Sequence, residues 1–239
     1  MPAPVAYQHV LEVLGLAIAS DEVGASSIIL IEEVEARFAV SRSVAREALR
    51  ILESLGMVAM KRRVGCIVQP RAGWSVTDPR VIHWRISGPH RVQELDQLMQ
   101  LRAGVEPIAA RLAAGSARTV GLVLLEHAEE MRSLASQERG HTAEFLAADV
   151  AFHKALLTGS GNDHFAAMGE VVAAVLTERN RLGLLEPKPD PRAVQMHVRI
   201  ATAILEGRIE LAEASARGLV DVVAAEVLMA GGLEVVAGG

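Results

Sequence analysis

A mainly α-helical chain in two parts is what this sequence predicts: a small three-helix unit closed by a two-stranded wing, then an antiparallel all-helical bundle. Three observations carry it. The 239 residues are rich in Ala, Leu, Val and Glu, and aromatic residues make up only 3%, a composition of helices more than sheets. From His90 almost to the end the apolar residues recur at helical spacing. The charge is unevenly placed. Between Arg37 and Arg63 stand seven cations (Arg37, Arg42, Arg46, Arg50, Lys61, Arg62, Arg63) against Glu47 and Glu53, a local charge of +5 in a chain of net charge −5, so the rest carries −10. A basic module joined to a larger acidic one follows from that asymmetry, and the length is ample for two domains.

The elements can be placed in order. Residues 7–20 form a helix with Val10, Leu11, Leu14 and Ile18 on one side. A short second helix runs from about Leu30 to Phe38, with Ile31, Val34 and Phe38 facing a core. The third starts at Ser41, a suitable N-cap, and ends near Leu55, where Gly56 supplies a left-handed residue. In "MVAMKRRVGCIV" two short strands flank a turn that includes Gly65. Residues 1–70 thus describe a winged helix-turn-helix. Pro70, Gly73 and Pro79 interrupt "QPRAGWSVTDPRVIHW", so 71–89 reads as a linker with a short helix. The domain 90–230 holds helices at about 91–116, 119–136, 141–158, 163–182, 192–206 and 208–229, separated by breaks such as "TGSGND" and "EPKPDP". Residues 231–239 read as a flexible tail.

Composition also narrows the class of function. The one cysteine, Cys66, allows neither an internal disulfide nor a cysteine zinc site, and a reducing cytoplasm is the simplest compartment. The start "MPAPVAYQHVLEVLG" lacks the basic and long apolar segments of an export signal, and no stretch approaches twenty uninterrupted apolar residues. No membrane partner is expected.

The third helix poses the functional question. Ala45, Ala48, Leu49, Leu52 and Leu55 line one face, while Arg42, Arg46 and Arg50 recur every four residues to one side of it. A solvated charged stripe is the ordinary reading of such a face. Here the preceding helix is short and tightly joined, Ser41 and Ser43 stand at the helix start, and a basic turn follows. Arginine pairs with guanine O6 and N7 in the major groove. Serine hydroxyls and free helix-start amides suit phosphate oxygens. Lys61, Arg62 and Arg63 on a wing would meet the adjacent backbone or minor groove, with Gly65 allowing close approach. Double-stranded DNA is the partner these features fit.

The stretch "EARFAVSRSVAREALRILESLGMVAMKRRVGCIV" resembles the DNA-binding domain of GntR-superfamily transcriptional regulators, whose pattern is a VSRxxVREALRxLExxGLV core followed by a basic wing ending in Gly-x-x-Val. The likeness covers roughly residues 8–69 and implies that Arg42, Ser43 and Arg46 contact bases and nearby phosphates, with Arg62, Arg63 and Gly65 on the wing. One departure matters. Where the family usually has an "LPSER"-like segment this chain has "IILIE", so the Pro is missing and Glu32 stands where many members place a DNA-contacting Arg.

In the second part, "FLAADVAFHKALL" sets Asp149 and His153 four apart on one helix face, and "AVQMHVRIATAILEG" sets His197 among apolar neighbours on another. An Asp–His hydrogen bond explains the first pair alone; with His197 added, one carboxylate and two imidazoles suit Zn²⁺ or another divalent transition metal. This region resembles the ligand-binding (FCD-type) domain of the FadR subfamily, whose members commonly hold a metal with Asp and His four apart plus two further histidines. "LMQLRAGVEPIAARLAA" is similar to its opening helix. Asp149, His153 and His197 match three of the four ligands; the fourth position, twenty-two residues after His197, is Leu219, which leaves a weaker three-ligand site, one completed by an effector, or a metal-free pocket. By the same resemblance Arg102 faces the pocket, free to pair with an effector carboxylate or else bridged to Glu106 four residues on. His127, His141 and His164 read as surface residues; Arg179, Asn180 and Arg181 are candidates to line the pocket, with no pattern that singles one out. The linker "WSVTDPRVIHW" is similar to a segment of galactonate-type regulators of sugar-acid catabolism.

The expected function is a homodimeric, ligand-responsive transcriptional regulator, a repressor released by a sugar acid held among Arg102, Asp149, His153 and His197. An activator with the same architecture is the alternative. A metalloenzyme, the rival of another class, would use three ligands and an open position, but there is no HExxH and no carboxylate placed as a base, so no enzyme is expected.

Overall fold

The computed structural model, described over residues 3–116, 118–184 and 186–230, divides into two compact units, Met1–Arg91 and Val92–Gly239. The first contains α1 (Ala3–Ala19), β1 (Ile28–Ile29), α2 (Ile31–Phe38), α3 (Arg42–Ser54), β2 (Val58–Lys61), β3 (Gly65–Val68) and α4 (Pro79–Ser87). α1 starts four residues before the predicted helix at 7. Pro4 does not stop it, because a first-turn N–H has no intrahelical acceptor to lose.

α3 is held from behind. Its Ala45, Ala48, Leu49 and Leu52 are fully buried, packed with Leu14 and Ile18 of α1 and with Val58, Cys66 and Val68 of the sheet. Ser41 caps its first turn by accepting from the Val44 amide at 3.4 Å. Gly56 at φ +72° ends it, and a Cβ there would stand 2.1 Å from the Gly73 carbonyl oxygen. Ala39 at φ +51° makes the tight turn between α2 and α3.

The sheet has three strands in the order β1-β3-β2, all antiparallel, one more than the sequence predicts. β1 is two residues long, too short to show a period, and is defined only by pairing Ile28 with Ile67 and Ile29 with Cys66. The wing turn consists of Arg62, Arg63 and Val64, with Arg63 in the left-handed region at φ +65°. Gly65 is therefore the first residue of β3 and not part of the turn itself. Its φ is +121°, and a Cβ would lie 3.0 Å from the Ile29 carbonyl oxygen, so it admits β1 to the sheet.

Residues 71–89, read as a linker with a short helix, contribute to this unit's core. Asp78 caps α4 and Pro79 opens it. Trp84 is buried with α1: its indole N–H donates to Glu12 Oε2 at 2.8 Å, and its ring leaves no room for a side chain at Gly15, where a Cβ would fall 2.4 Å away.

The regular elements described in the second unit are all helices: α5 (Arg91–Ser116, beginning one residue before the division), α6 (Arg118–Ser136), α7 (Ala143–Gly159), α8 (Asp163–Ala167), α9 (Gly169–Arg181), α10 (Pro191–Glu206) and α11 (Ile209–Ala230). α6 packs on α7 and α10, α10 on α11, and α7 on α9. Ala109 of α5 joins Leu157 of α7 and Val172 and Leu176 of α9 in one buried cluster. The helix expected at 163–182 is two helices broken at Met168. Phe165 of α8 and Met168 at the break both pack on that cluster, a tertiary demand that apolar spacing does not reveal. The expected tail, 231–239, lies outside the described residues. No helix among the described residues is long and apolar enough to cross a membrane.

Candidate functional site

With its apolar face buried, α3 turns its arginines outward. Ser41, Arg42, Ser43, Arg46 and Arg50 are all exposed, as are Lys61, Arg62 and Arg63 on the wing. Arg42 and Arg46 share a groove of ≈ 610 Å³ with Lys61, Arg62, Arg63 and Gly65. Arg50 is not among the lining residues and lies 3.9 Å from Glu47 on its own helix. The Ser41 and Ser43 hydroxyls are 2.9 Å apart at the helix start. The acid in the groove lining is Glu32, whose carboxylate accepts from Arg42 at 2.8 Å. Its pKa is lowered by its place at the amide-rich start of α2 and by Arg42. Glu35 adds a second, looser contact to Arg42 at 3.5 Å. The position where the sequence departs from the family pattern thus bonds directly to one of the predicted DNA ligands.

The second unit carries a buried polar cluster. On α7, Asp149 and His153 present Oδ1 and Nε2 3.3 Å apart. From α10, His197 places its Nε2 3.4 Å from the same Asp149 oxygen. His197 Nδ1 lies 2.8 Å from the Ala193 carbonyl, which can only accept, so that nitrogen carries the proton. The Nε2 lone pair of a neutral ring then confronts a carboxylate. Such a contact is stable only with a second proton on the ring or a cation between the groups. Asp149 Oδ1 and His197 Nε2 are buried without a hydrogen-bond partner, and one ligand atom from each of Asp149, His153 and His197 falls within 4.8 Å of the others. The donor set, its convergence and the carbonyl-fixed tautomer fit a divalent transition metal. At the fourth position, Leu219 is buried and offers no donor.

Arg102 is not among the residues lining the cavity beside this cluster. It is buried with Glu106, donating from Nε at 2.6 Å and from Nη2 at 3.3 Å, and its Nη2 also lies 3.2 Å from His153 Nε2. Of its two readings, the bridge to Glu106 is the one the fold adopts, because a guanidinium desolvated to 1% exposure needs a carboxylate. Burial by itself would raise the Glu106 pKa; Arg102 and His153 outweigh it and hold the carboxyl at about 2. Burial likewise opposes ionisation of Asp149, yet the two histidines keep it well below the usual carboxylate range. Burial opposes charge on His153 too, and Glu106 outweighs it to raise the pKa.

Beside the cluster is a cavity of ≈ 340 Å³ lined by Phe145, Asp149, Arg179, Val194, His197 and Glu226, among others. Arg179 is the cation here. It sits in the last turn of α9, 4% exposed, and its Nη2 is 3.4 Å from Glu226 on α11. His141 and His164 are exposed and His127 is half-buried, none of them in the metal-competent group.

Comparison with known proteins gives this geometry a family. Residues 6–68 match the family described as bacterial regulatory proteins, gntR family, and residues 97–221 match the FCD domain. This chain belongs to the gntR family. The galactonate operon transcriptional repressor of Escherichia coli K12 is 28% identical over 182 residues, 75% of this chain and 77% of that protein. The transcriptional regulator LutR of Bacillus subtilis is 30% identical over 185 residues, 74% and 80% of the two chains. Among solved structures, Lar, described as controlling the Listeria monocytogenes agr system, superimposes with a TM-score of 0.58 at 18% identity, covering 96% of this chain and 97% of its own. That likeness concerns the fold.

The gntR-family chain is a transcriptional regulator with a winged N-terminal domain and an FCD domain, in a family of regulators and not of enzymes. Within it, the sequence marked Arg179, Asn180 and Arg181 together as candidates for the pocket lining without separating them. The three look equally polar in the sequence, but Arg181 bridges Glu178 at 2.7 Å on the helix surface while Arg179 turns into the cavity. Position within the last turn of α9 was the one available signal, and it needs the neighbouring helices to be read.

Proposed function

We propose that this gntR-family regulator is a homodimeric repressor that holds operator DNA through α3 and the wing and releases it when a small carboxylate effector, of the sugar-acid class, enters the FCD domain. In this reading residues 1–70 bind DNA, 71–89 connect, and 90–230 bind effector and dimerise, all in the cytoplasm. The observation that carries it is the single basic groove in which Arg42 and Arg46 of a helix buried on its other face meet Lys61, Arg62 and Arg63 of the wing. Ser41 and Ser43 would take phosphates at the helix start, Arg42 and Arg46 base edges and nearby phosphates, and Arg50 the flanking backbone. Two such units related by a two-fold axis require a palindromic site.

Asp149, His153 and His197 would hold the metal, Zn²⁺ or a similar ion, which when bound supplies a Lewis-acidic anchor for effector oxygens. Arg102 enters the effector reading through Glu106 and His153 and not by direct contact. The 28% identity to a galactonate operon repressor supports the sugar-acid class. Release requires the effector to favour one arrangement of the dimer, since equal affinity for both shifts nothing. The test is fluorescence anisotropy at fixed salt on a duplex selected by the protein from a randomised pool. Affinity should fall on adding galactonate; a protein that ignores every duplex at low salt refutes the reading.

A further inference from the structure

The structure assigns the Nε and Nη2 edge of Arg179 as the receptor for the effector's carboxylate, with Glu226 as an internal stand-in that the incoming carboxylate displaces. This deepens the effector reading above and rests on it. Two arginines of the FCD domain are buried, and they differ in how this edge is satisfied. Arg102 gives both donors to Glu106, at 2.6 and 3.3 Å. Among the described residues, Arg179 has the Glu226 contact from Nη2 at 3.4 Å, and its buried Nε finds no partner. The two N–H groups on that edge are parallel and spaced for the two oxygens of one carboxylate. One of them is weakly held and the other unmet, in a guanidinium only 4% exposed that lines a cavity.

The surroundings make the vacancy costly and the stand-in removable. A buried donor without an acceptor forfeits its hydration with nothing in return, and burial together with nearby Arg102 lowers the Arg179 pKa. Glu226 is no fixed partner: its side chain is 37% exposed, so it can turn to water when displaced. The same cavity carries Asp149 and His197 on its wall. A ligand whose carboxylate sits on Arg179 therefore turns its hydroxyl groups toward the wall formed by Asp149 and His197, while Phe145, Val194 and Val223 cover its carbon skeleton. The chemical class is a compact hydroxylated monocarboxylate.

Isothermal titration of the full-length protein with galactonate, gluconate and the carboxylate-free alcohol galactitol tests this, alongside unliganded melting temperatures. Wild type should bind an acid and not galactitol. Arg179→Gln, and Arg179→Lys, which keeps the charge and loses the fork, should each weaken the acid at least tenfold. Glu226→Gln should tighten it several-fold, whereas an ion pair serving only stability would lower the melting temperature and leave affinity alone. Unchanged acid affinity in both Arg179 variants, or weaker binding by Glu226→Gln, overturns this assignment while leaving the effector reading in place. If neither acid binds wild type, the effector reading itself falls and takes this inference with it.

Discussion

Replacing Glu32 by Gln isolates what the acid in the basic groove does. The Glu32 and Arg42 side chains are 64% and 60% exposed and 2.8 Å apart. An exposed, solvent-screened pair of this kind contributes little to folding, so the variant should melt within a few degrees of wild type. DNA binding should respond far more. With Glu32 neutral, Arg42 is free to neutralise one further phosphate per winged unit. Each such contact steepens the slope of log K against log salt by about 0.9, so affinity per unit rises about eightfold at roughly 0.1 M salt and about threefold at roughly 0.3 M. In a two-fold dimer both factors are squared, to about 60-fold and 9-fold. Anisotropy titrations across a salt series on specific and scrambled duplexes would measure this, with the double variant Glu32→Gln, Arg42→Ala returning the slope to the wild-type value. A slope unchanged in Glu32→Gln, or looser binding at every salt concentration, would refute the idea that Glu32 restrains Arg42.

Other consequences follow from the same geometry. Arg46→Ala should remove about 1–3 kcal/mol of discrimination between specific and scrambled duplexes, with the thermal shift produced by galactonate unchanged, as read by anisotropy and melting curves. Glu106→Gln strips the carboxylate from a fully buried Arg102 and should destabilise the protein by about 3–5 kcal/mol in a denaturant titration; a loss below about 1 kcal/mol would show that His153 and Asp149 compensate. Asp149→Asn removes the anionic ligand of the three. Zinc added to chelator-treated protein should raise the wild-type melting temperature by linkage and leave that of the variant unmoved.

How far the sequence could be read depends on whether a feature is local. α3 was legible because its apolar spacing, the Ser41 cap and the Gly56 terminus all lie within one stretch of chain, and the structure places each accordingly. The pairing of Asp149 with His153 was legible for the same reason, since four residues along a helix is one turn. β1 was not, because two residues carry no period and become a strand only through β3. The break at Met168 was hidden too: the residues that cause it answer to Ala109 and Leu157, far away in the chain.

The sequence by itself determined that a capped helix would bury its alanine and leucine face and turn Arg42, Arg46 and Arg50 to the outside, and that Asp149 and His153 would share a face. Tertiary structure alone decided which partner each charged group meets: Glu32 for Arg42, Glu106 for Arg102, and for Arg179 a cavity with a loosely held Glu226. The physical reason is one of range. Helical periodicity is set by hydrogen bonds four residues apart, whereas a buried charge takes whichever opposite group the packing of distant helices brings within about 3 Å.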